Sequence, residues 1–207
     1  KFLAIGVRIQ VIAPKNADEI AKVNALQDKF VIESASAEPM PEFRWNMDSL
    51  KALTVKYEEE SACHSSFAGM QGPRGKVNEK TRHVAAAAGW GLFPDRDAMY
   101  LNYSGGQDAE HCYKASYAVP ENGAFWSITV YGNDGYMKSD SNIVNSSTVK
   151  LDADGRFTVY FGSKETCGDK PNRLDTSEGW NYILRIYRPG PSVLDGSYKL
   201  PVPAPVG

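Results

Sequence analysis

Two segments near the end of the chain constrain its fold more than any others. Ala124–Tyr131 reads AFWSITVY and Tyr182–Pro191 reads YILRIYRPGP. Both alternate large apolar or aromatic residues with polar ones. That period of two is the pattern of a strand with one face in a core. In the first, Trp126, Ile128 and Val130 share a face, and Phe125, Ser127, Thr129 and Tyr131 share the other. In the second, Tyr182, Leu184 and Ile186 share a face, and Ile183, Arg185 and Tyr187 share the other.

The period changes once along the chain. Upstream of about Ala98 it is helical. Pro14 and Asn16 precede a stripe of Ala17, Ile20, Val23, Leu26 and Phe30, with Asp18 and Glu19 placed to favour the helix dipole. Asn46 or Asp48 is positioned to cap a second helix with Leu50, Leu53 and Tyr57 along one side. Asn78 opens a third, which Gly89 and Gly91 should end. Downstream, Met99–Tyr103, His111–Ala118, Ala124–Tyr131, Arg156–Phe161 and Trp180–Tyr187 read as strands separated by turns such as Gly132-Asn-Asp-Gly135 and Asp152-Ala-Asp-Gly155. The stretch 162–179 reads as irregular. The ending, Leu200-Pro-Val-Pro-Ala-Pro-Val-Gly207, has too many prolines for a central strand and is expected to lie extended on a neighbour. The expected class is α+β: a helical N-terminal region packed on an antiparallel sandwich. The expected division is residues 1–80, mostly helical and read as the end of a larger upstream domain, and residues 81–207, the sandwich with its proline-rich tail.

Composition excludes some roles. The 207 residues carry a formal net charge of -2, and no run of Lys and Arg suggests a phosphate-tracking surface, so nucleic acid is not an expected partner. No apolar stretch approaches the roughly 20 residues that cross a bilayer. The chain begins at Lys1 inside an apolar run of Phe2, Leu3, Ile5 and Val7, from which an upstream start is expected. Cys63, Cys112 and Cys167 allow one intrachain bridge, which spacing does not select. Asn102-Tyr-Ser104 and Asn145-Ser-Ser147 fit the N-glycosylation pattern and hint at a secreted or periplasmic setting.

Several motifs occur in order: Ala124–Tyr131, Asp134-Gly135, Asp154-Gly155, Leu184-Arg-Ile-Tyr187 with Pro189, Leu194-Asp-Gly196, and Pro201. Together they resemble the DUF1214 family over roughly Arg82 to Pro203. Arg82–Leu92 and Ala98-Met-Tyr100 resemble the lead-in helix and first strand of the same unit. Asn172–Trp180 departs from the Asn-Trp-Leu-Pro-like segment that members carry there. The resemblance implies a jelly-roll-like β-sandwich, an exported protein without an established activity, and an N-terminal partner domain, DUF1254.

For chemistry, the polar side of the two opening strands is the best candidate. Arg185 within an apolar strand must reach water, a carboxylate or a ligand, because an unpaired buried charge is costly. Ser127, Tyr131, Arg185 and Tyr187 therefore form the candidate ligand-binding set, and a cleft lined by them would suit an enzyme acting on a small polar or anionic substrate. No catalytic residue is assigned. The histidines and cysteines (Cys63-His64, His83, His111-Cys112) lack the spacing of a compact zinc site, so no metal or other cofactor is expected. A pairing of Cys167 with His111 has little support. Asp134, Asp152, Asp154, Glu165 and Asp175 fall mostly in turns and suggest no acid–base pair. The loop Gly69–Gly75 lacks the Lys-Ser/Thr ending of a phosphate loop. The favoured reading is a non-catalytic module with a binding or assembly role. Its expected partners are a second copy, an upstream domain of the same protein, or a carbohydrate meeting Tyr136, Trp180 and Tyr182.

Overall fold

The computed structural model describes residues 5–206 apart from 14, 37, 40, 43, 62, 65, 66 and 90. Expectations placed on Lys1, Phe2, Leu3, Pro14, Trp90 and Gly207 lie outside these residues. The chain divides into two units, Lys1–Asn46 and Met47–Gly207.

Among its described residues the first unit contains one helix, α1, Ala17–Gln27. It starts where the sequence indicates. The Asn16 side chain accepts from the backbone N–H of Asp18 and Glu19 at 3.0 and 3.1 Å, satisfying two of the orphan donors of the first turn. Glu19 reaches back to accept from Ile12 and Ala13. Of the expected stripe only Val23 is buried. The helix stops before Phe30, and both Leu26 and Phe30 are exposed. The stripe thus has the right period but faces no core within its own unit.

The second unit opens with α2, Met47–Ser61, and α3, Glu79–Ala88. Asp48 falls in the first turn of α2, where its charge suits the dipole. The stripe of Leu50 and Leu53 is half-exposed rather than buried. Asn78 caps α3 by accepting from Lys80 and Thr81, and Gly89 ends it as expected. The two helices meet each other through Lys80 and Glu60, at 3.5 Å, and through Tyr57 beside His83.

Eight strands follow: β1 Ala98–Gln107, β2 Tyr113–Tyr117, β3 Trp126–Tyr131, β4 Ile143–Asn145, β5 Phe157–Phe161, β6 Arg173–Leu174, β7 Trp180–Tyr187 and β8 Ala204–Pro205. They form two sheets of four, ordered β1-β7-β3-β4 and β6-β5-β2-β8. All pairings are antiparallel except β5 with β6. The chain is α+β, with the sandwich where the change of period places it. The stretch 162–179 is less irregular than its composition indicates, since it holds a short helix, α4 (Lys164–Cys167), and β6. Another short helix, α5, covers Pro191–Leu194. The tail lies on its own sheet rather than on a neighbour. Ala204 and Pro205 pair with Lys114 and Tyr113, and proline is tolerated there because β8 is an edge.

The core is aromatic. Trp126 stacks on Phe157 with ring centroids 4.5 Å apart, and Phe161 stacks on Trp180 at 4.8 Å and on Tyr182 at 5.1 Å. Each contact joins one sheet to the other. All five rings are essentially inaccessible to solvent, and each contributes on the order of 2–3 kcal/mol by burial. Ile128, Leu184, Ile186 and Val159 fill the spaces between them. Burying tyrosines demands partners for their hydroxyls. The Tyr117 hydroxyl donates to the Tyr182 hydroxyl at 2.8 Å, and Tyr182 donates onward to the Pro201 carbonyl at 3.2 Å. Burial raises both phenols well above their ordinary range; the Tyr182 hydroxyl adds to the rise at Tyr117, while the bond received from Tyr117 only partly offsets it at Tyr182, so both stay protonated.

A single disulfide, Cys112–Cys167, ties the start of β2 to the end of α4 and leaves Cys63 free and exposed. Gly162 is required beside it. Its φ is +152°, and a Cβ there would approach the Cys167 sulfur and the Thr166 hydroxyl at 2.7 Å.

The hydroxyl chain yields a ranked expectation. Tyr182→Phe strands both the Tyr117 hydroxyl and the Pro201 carbonyl and should cost about 1–3 kcal/mol, whereas Tyr117→Phe leaves the onward bond intact and should cost about 1 kcal/mol. Urea unfolding of the two variants measures this. An equal or greater loss for Tyr117→Phe would show that the chain of bonds does not run this way.

Candidate functional site

The four candidate residues lie on one surface, the outer face of the sheet β1-β7-β3-β4. The register explains how. Ser127 faces Arg185 directly across β3 and β7, Thr129 faces Ile183, and Tyr131 faces Asn181. Arg185 also faces Tyr100 on β1, and Ser127 faces Asn145 on β4. These side chains point away from the aromatic core because their neighbours in sequence fill it.

Arg185 and Tyr131 meet. The guanidinium donates to the Tyr131 hydroxyl at 2.7 Å and lies 5.6 Å from its ring centroid. They stand two register steps apart, so both side chains must lean along the sheet over the Thr129–Ile183 pair between them. Thr129 and Ser127 are only 5% and 6% exposed on this outward face. Among the described residues no carboxylate pairs with Arg185. Tyr187 shares the face but stacks on Phe125, with centroids 4.4 Å apart. The structure therefore joins Tyr131 to Arg185, sets Ser127 opposite Arg185, and gives Tyr187 a different neighbour.

The other expectations fare differently. Trp180 and Tyr182 are wholly buried and offer no face to a sugar, whereas Tyr136 is 72% exposed. Cys167 is bound to Cys112 and so cannot pair with His111. His111 precedes β2 rather than lying in it, and its Nδ1 donates to Asp108 Oδ1 at 2.9 Å. Asp108 also accepts from the Tyr113 hydroxyl at 2.8 Å and from the backbone of Glu110 and His111. The Tyr113 bond, followed by that of His111, lowers Asp108 to about 2, and the same Asp108 bond pushes Tyr113 up to about 12. A depressed carboxyl favours the fold above its unfolded value, near ~4, and that contribution fades as pH falls towards the folded value.

The carboxylates serve local structure. Asp134 accepts from Lys138 and from the Tyr136 N–H within its turn. Asp152 accepts from Thr158 at 2.9 Å and Asp154 from the Arg156 N–H at 3.0 Å. Glu165 is held low chiefly by Ser163 at the start of α4. Burial pushes Asp175 up, but hydrogen bonds from Ser139 and Arg173 outweigh it and hold this carboxyl below its ordinary value. Among the described residues no three His, Cys, Asp or Glu side chains are grouped to hold a metal ion.

A further surface lies on the other sheet. A groove of about 350 Å³ runs between the outer side of β2 and β5 and the tail, with Lys114, Ser116, Thr158, Tyr160 and Val202 in its lining. Its signal is present in the sequence, as the outward positions of the alternating runs YKASY and FTVYF.

Comparison with known proteins agrees with the fold. Residues 98–191 match the family model described as "Protein of unknown function (DUF1214)". The solved structure of the VPA0106 protein from Vibrio parahaemolyticus is similar, with a TM-score of 0.61 and 20% identity over 92% of this chain and 51% of that one. An uncharacterised protein from Burkholderia cenocepacia gives a TM-score of 0.45 and 16% identity over 83% of this chain and 46% of its own. The chain thus spans about half the length of the solved structures it matches. No curated protein matches it.

The environment of Arg185 sets the outcome of its removal. Arg185→Met should leave the fold intact and change stability by no more than about 1 kcal/mol, the net value of one partly buried hydrogen bond. Circular dichroism with urea unfolding tests this. Loss of cooperative unfolding would make Arg185 a strut of the sheet rather than a residue available to a ligand.

Proposed function

We propose that this chain, whose residues 98–191 form a DUF1214 domain, is a non-catalytic module with an assembly role, and that its first unit packs against the apolar surface of another polypeptide domain. One observation carries this reading. Residues 5–32 present Ile5, Val7, Ile12, Leu26, Phe30, Val31 and Ile32 to solvent, with Ile12 and Ile32 each 81% exposed. Concentrated exposed apolar surface of this kind marks a contact site rather than a finished exterior. The length of the Vibrio parahaemolyticus protein supports the choice of partner, because there the same fold occurs beside an equal length of further polypeptide.

The sandwich supports the non-catalytic half of the reading. Its interior is filled by side chains, and Asp108, Asp134, Asp152, Asp154, Glu165, Asp175 and His111 are engaged in local bonds. A second reading draws on Arg185, a half-buried cation without a carboxylate partner among the described residues. In that reading Ser127, Tyr131, Arg185 and Tyr187 receive a small polar or anionic molecule, and Arg185→Met removes its binding. Export is also part of the proposal. A disulfide persists in oxidising compartments and is rare in the cytosol, and Cys112 and Cys167 are joined by one.

Two experiments test these statements. With no other polypeptide in solution, a second copy is the surface available to cover these residues, so light scattering after size exclusion should show the 207-residue chain associating as its concentration rises. A Phe30→Asp, Ile32→Asp double variant should be monomeric with an unchanged circular dichroism spectrum. A wild-type chain that stays monomeric throughout, or a variant that associates equally, would overturn the assembly reading. For export, protein from its natural source, alkylated without reduction, should be modified at Cys63 alone. Modification of all three cysteines would remove that part of the proposal.

A further inference from the structure

The groove over β2 and β5 has the composition of a binding site, and it uses none of residues 5–46. It is built by two features that local sequence does not join. The first is the outer face of the β2–β5 pair, where Lys114 stands directly opposite Tyr160 and Ser116 opposite Thr158. The second is the tail, which forms a wall fixed at both ends. Tyr182 holds the Pro201 carbonyl from within the core, Ala204 and Pro205 pair with the start of β2 at Lys114 and Tyr113, and the Val206 N–H donates to the Cys112 carbonyl. Between these anchors, residues 201–204 flank the strands and leave a space of about 350 Å³, within the range of small-ligand sites.

The charge around this space is predominantly positive. Lys114 is exposed and has no ion-pair partner among the described residues. The Lys170 ammonium lies 5.8 Å from the Tyr160 ring centroid. Arg156 donates to the Ser116 hydroxyl at 3.1 Å and to its carbonyl at 2.9 Å. Among the described residues, the carboxylate hydrogen-bonded to the lining is Asp152, which accepts from Thr158. These bonds also set what the two hydroxyls can still do. Ser116 Oγ accepts from Arg156 and keeps its O–H to donate. Thr158 donates to Asp152 and keeps its lone pairs to accept. One free donor and one free acceptor therefore sit side by side, between an ammonium, an aromatic ring and the apolar edge of Val202.

We infer that this groove binds an acidic saccharide through a hexuronate unit. Each part of that ligand has a counterpart. The C–H face of the sugar ring lies against Tyr160, an apolar surface on a rigid strand. A ring hydroxyl both accepts from Ser116 and donates to Thr158. The carboxylate meets the ammonium of Lys114. A simple inorganic anion would use the lysines and leave the ring and hydroxyls without function, and a neutral sugar would leave Lys114 without function.

Calorimetric titration with a galacturonate trisaccharide, with maltotriose and inorganic phosphate as controls, tests this on the intact chain. The acidic trisaccharide should bind and the controls should not. Lys114→Met and Tyr160→Ala should each weaken binding about tenfold or more, the equivalent of one charge-assisted hydrogen bond or one ring contact. Both side chains point outward, so the variants should keep their unfolding temperature, and Lys114→Met, with its exposed side chain, remains informative if Tyr160→Ala does not fold. No binding at millimolar trisaccharide, equal binding of maltotriose or phosphate, or unaltered binding by Lys114→Met would each overturn the inference. Because the readout is ligand binding rather than mass, its failure is separate from failure of the assembly reading.

Discussion

The structure depends on the aromatic stack that joins its two sheets. Trp126 on Phe157 and Phe161 on Trp180 and Tyr182 fix the spacing between the sheets and their relative register. Flat rings at 4.5–5.1 Å leave no freedom to slide without opening voids. The stack also imposes a polar requirement inside an apolar core. Two tyrosine hydroxyls must find partners, and they find each other and then the Pro201 carbonyl. In this way the core reaches out and places the tail, and the placed tail forms one wall of the groove. The surface feature of greatest interest is thus a consequence of how the interior satisfies its hydrogen bonds.

The two outer faces follow different rules. On the β1-β7-β3-β4 sheet, Arg185 is bonded to Tyr131, and Ser127 and Thr129 beside them are buried. On the β6-β5-β2-β8 sheet, small hydroxylated residues separate Lys114 from Arg156, and the tail stands beside the strands, so the face stays open. Large side chains that find partners along a sheet fill its surface. Small ones flanked by a raised wall leave a depression.

The first unit shows the opposite balance from the sandwich. Its helix is well specified by local chemistry, with Asn16 capping and Glu19 reaching back. Yet only Val23 of α1 is buried. Capping and propensity supply direction and boundaries, but most helical stability in proteins comes from a packed face. An apolar stripe that meets no core in its own unit is what gives the assembly reading its physical content.

Much of the fold was legible in the sequence, because periodicity and turn chemistry act locally. Trp180–Tyr187 could be read to the residue from its alternation, Asn78 and Gly89 marked the ends of α3, and Gly155 marked the turn into β5. The face shared by Ser127, Tyr131, Arg185 and Tyr187 was also legible, since a strand has only two sides. The sequence did not reveal which of those side chains would touch. Arg185 reaches Tyr131 and not Ser127 because of the lean of long side chains across a register fixed by distant strands. Nor did it distinguish Tyr136, which is exposed, from Trp180 and Tyr182, which are buried, because aromatic residues suit both a core and a binding face. The bridge between Cys112 and Cys167, the bonding of β8 to β2, and the groove beside Lys114 and Tyr160 all join segments far apart along the chain. Alternation determines which residues face outward, but only the closing of one sheet on the other decides what stands beside them.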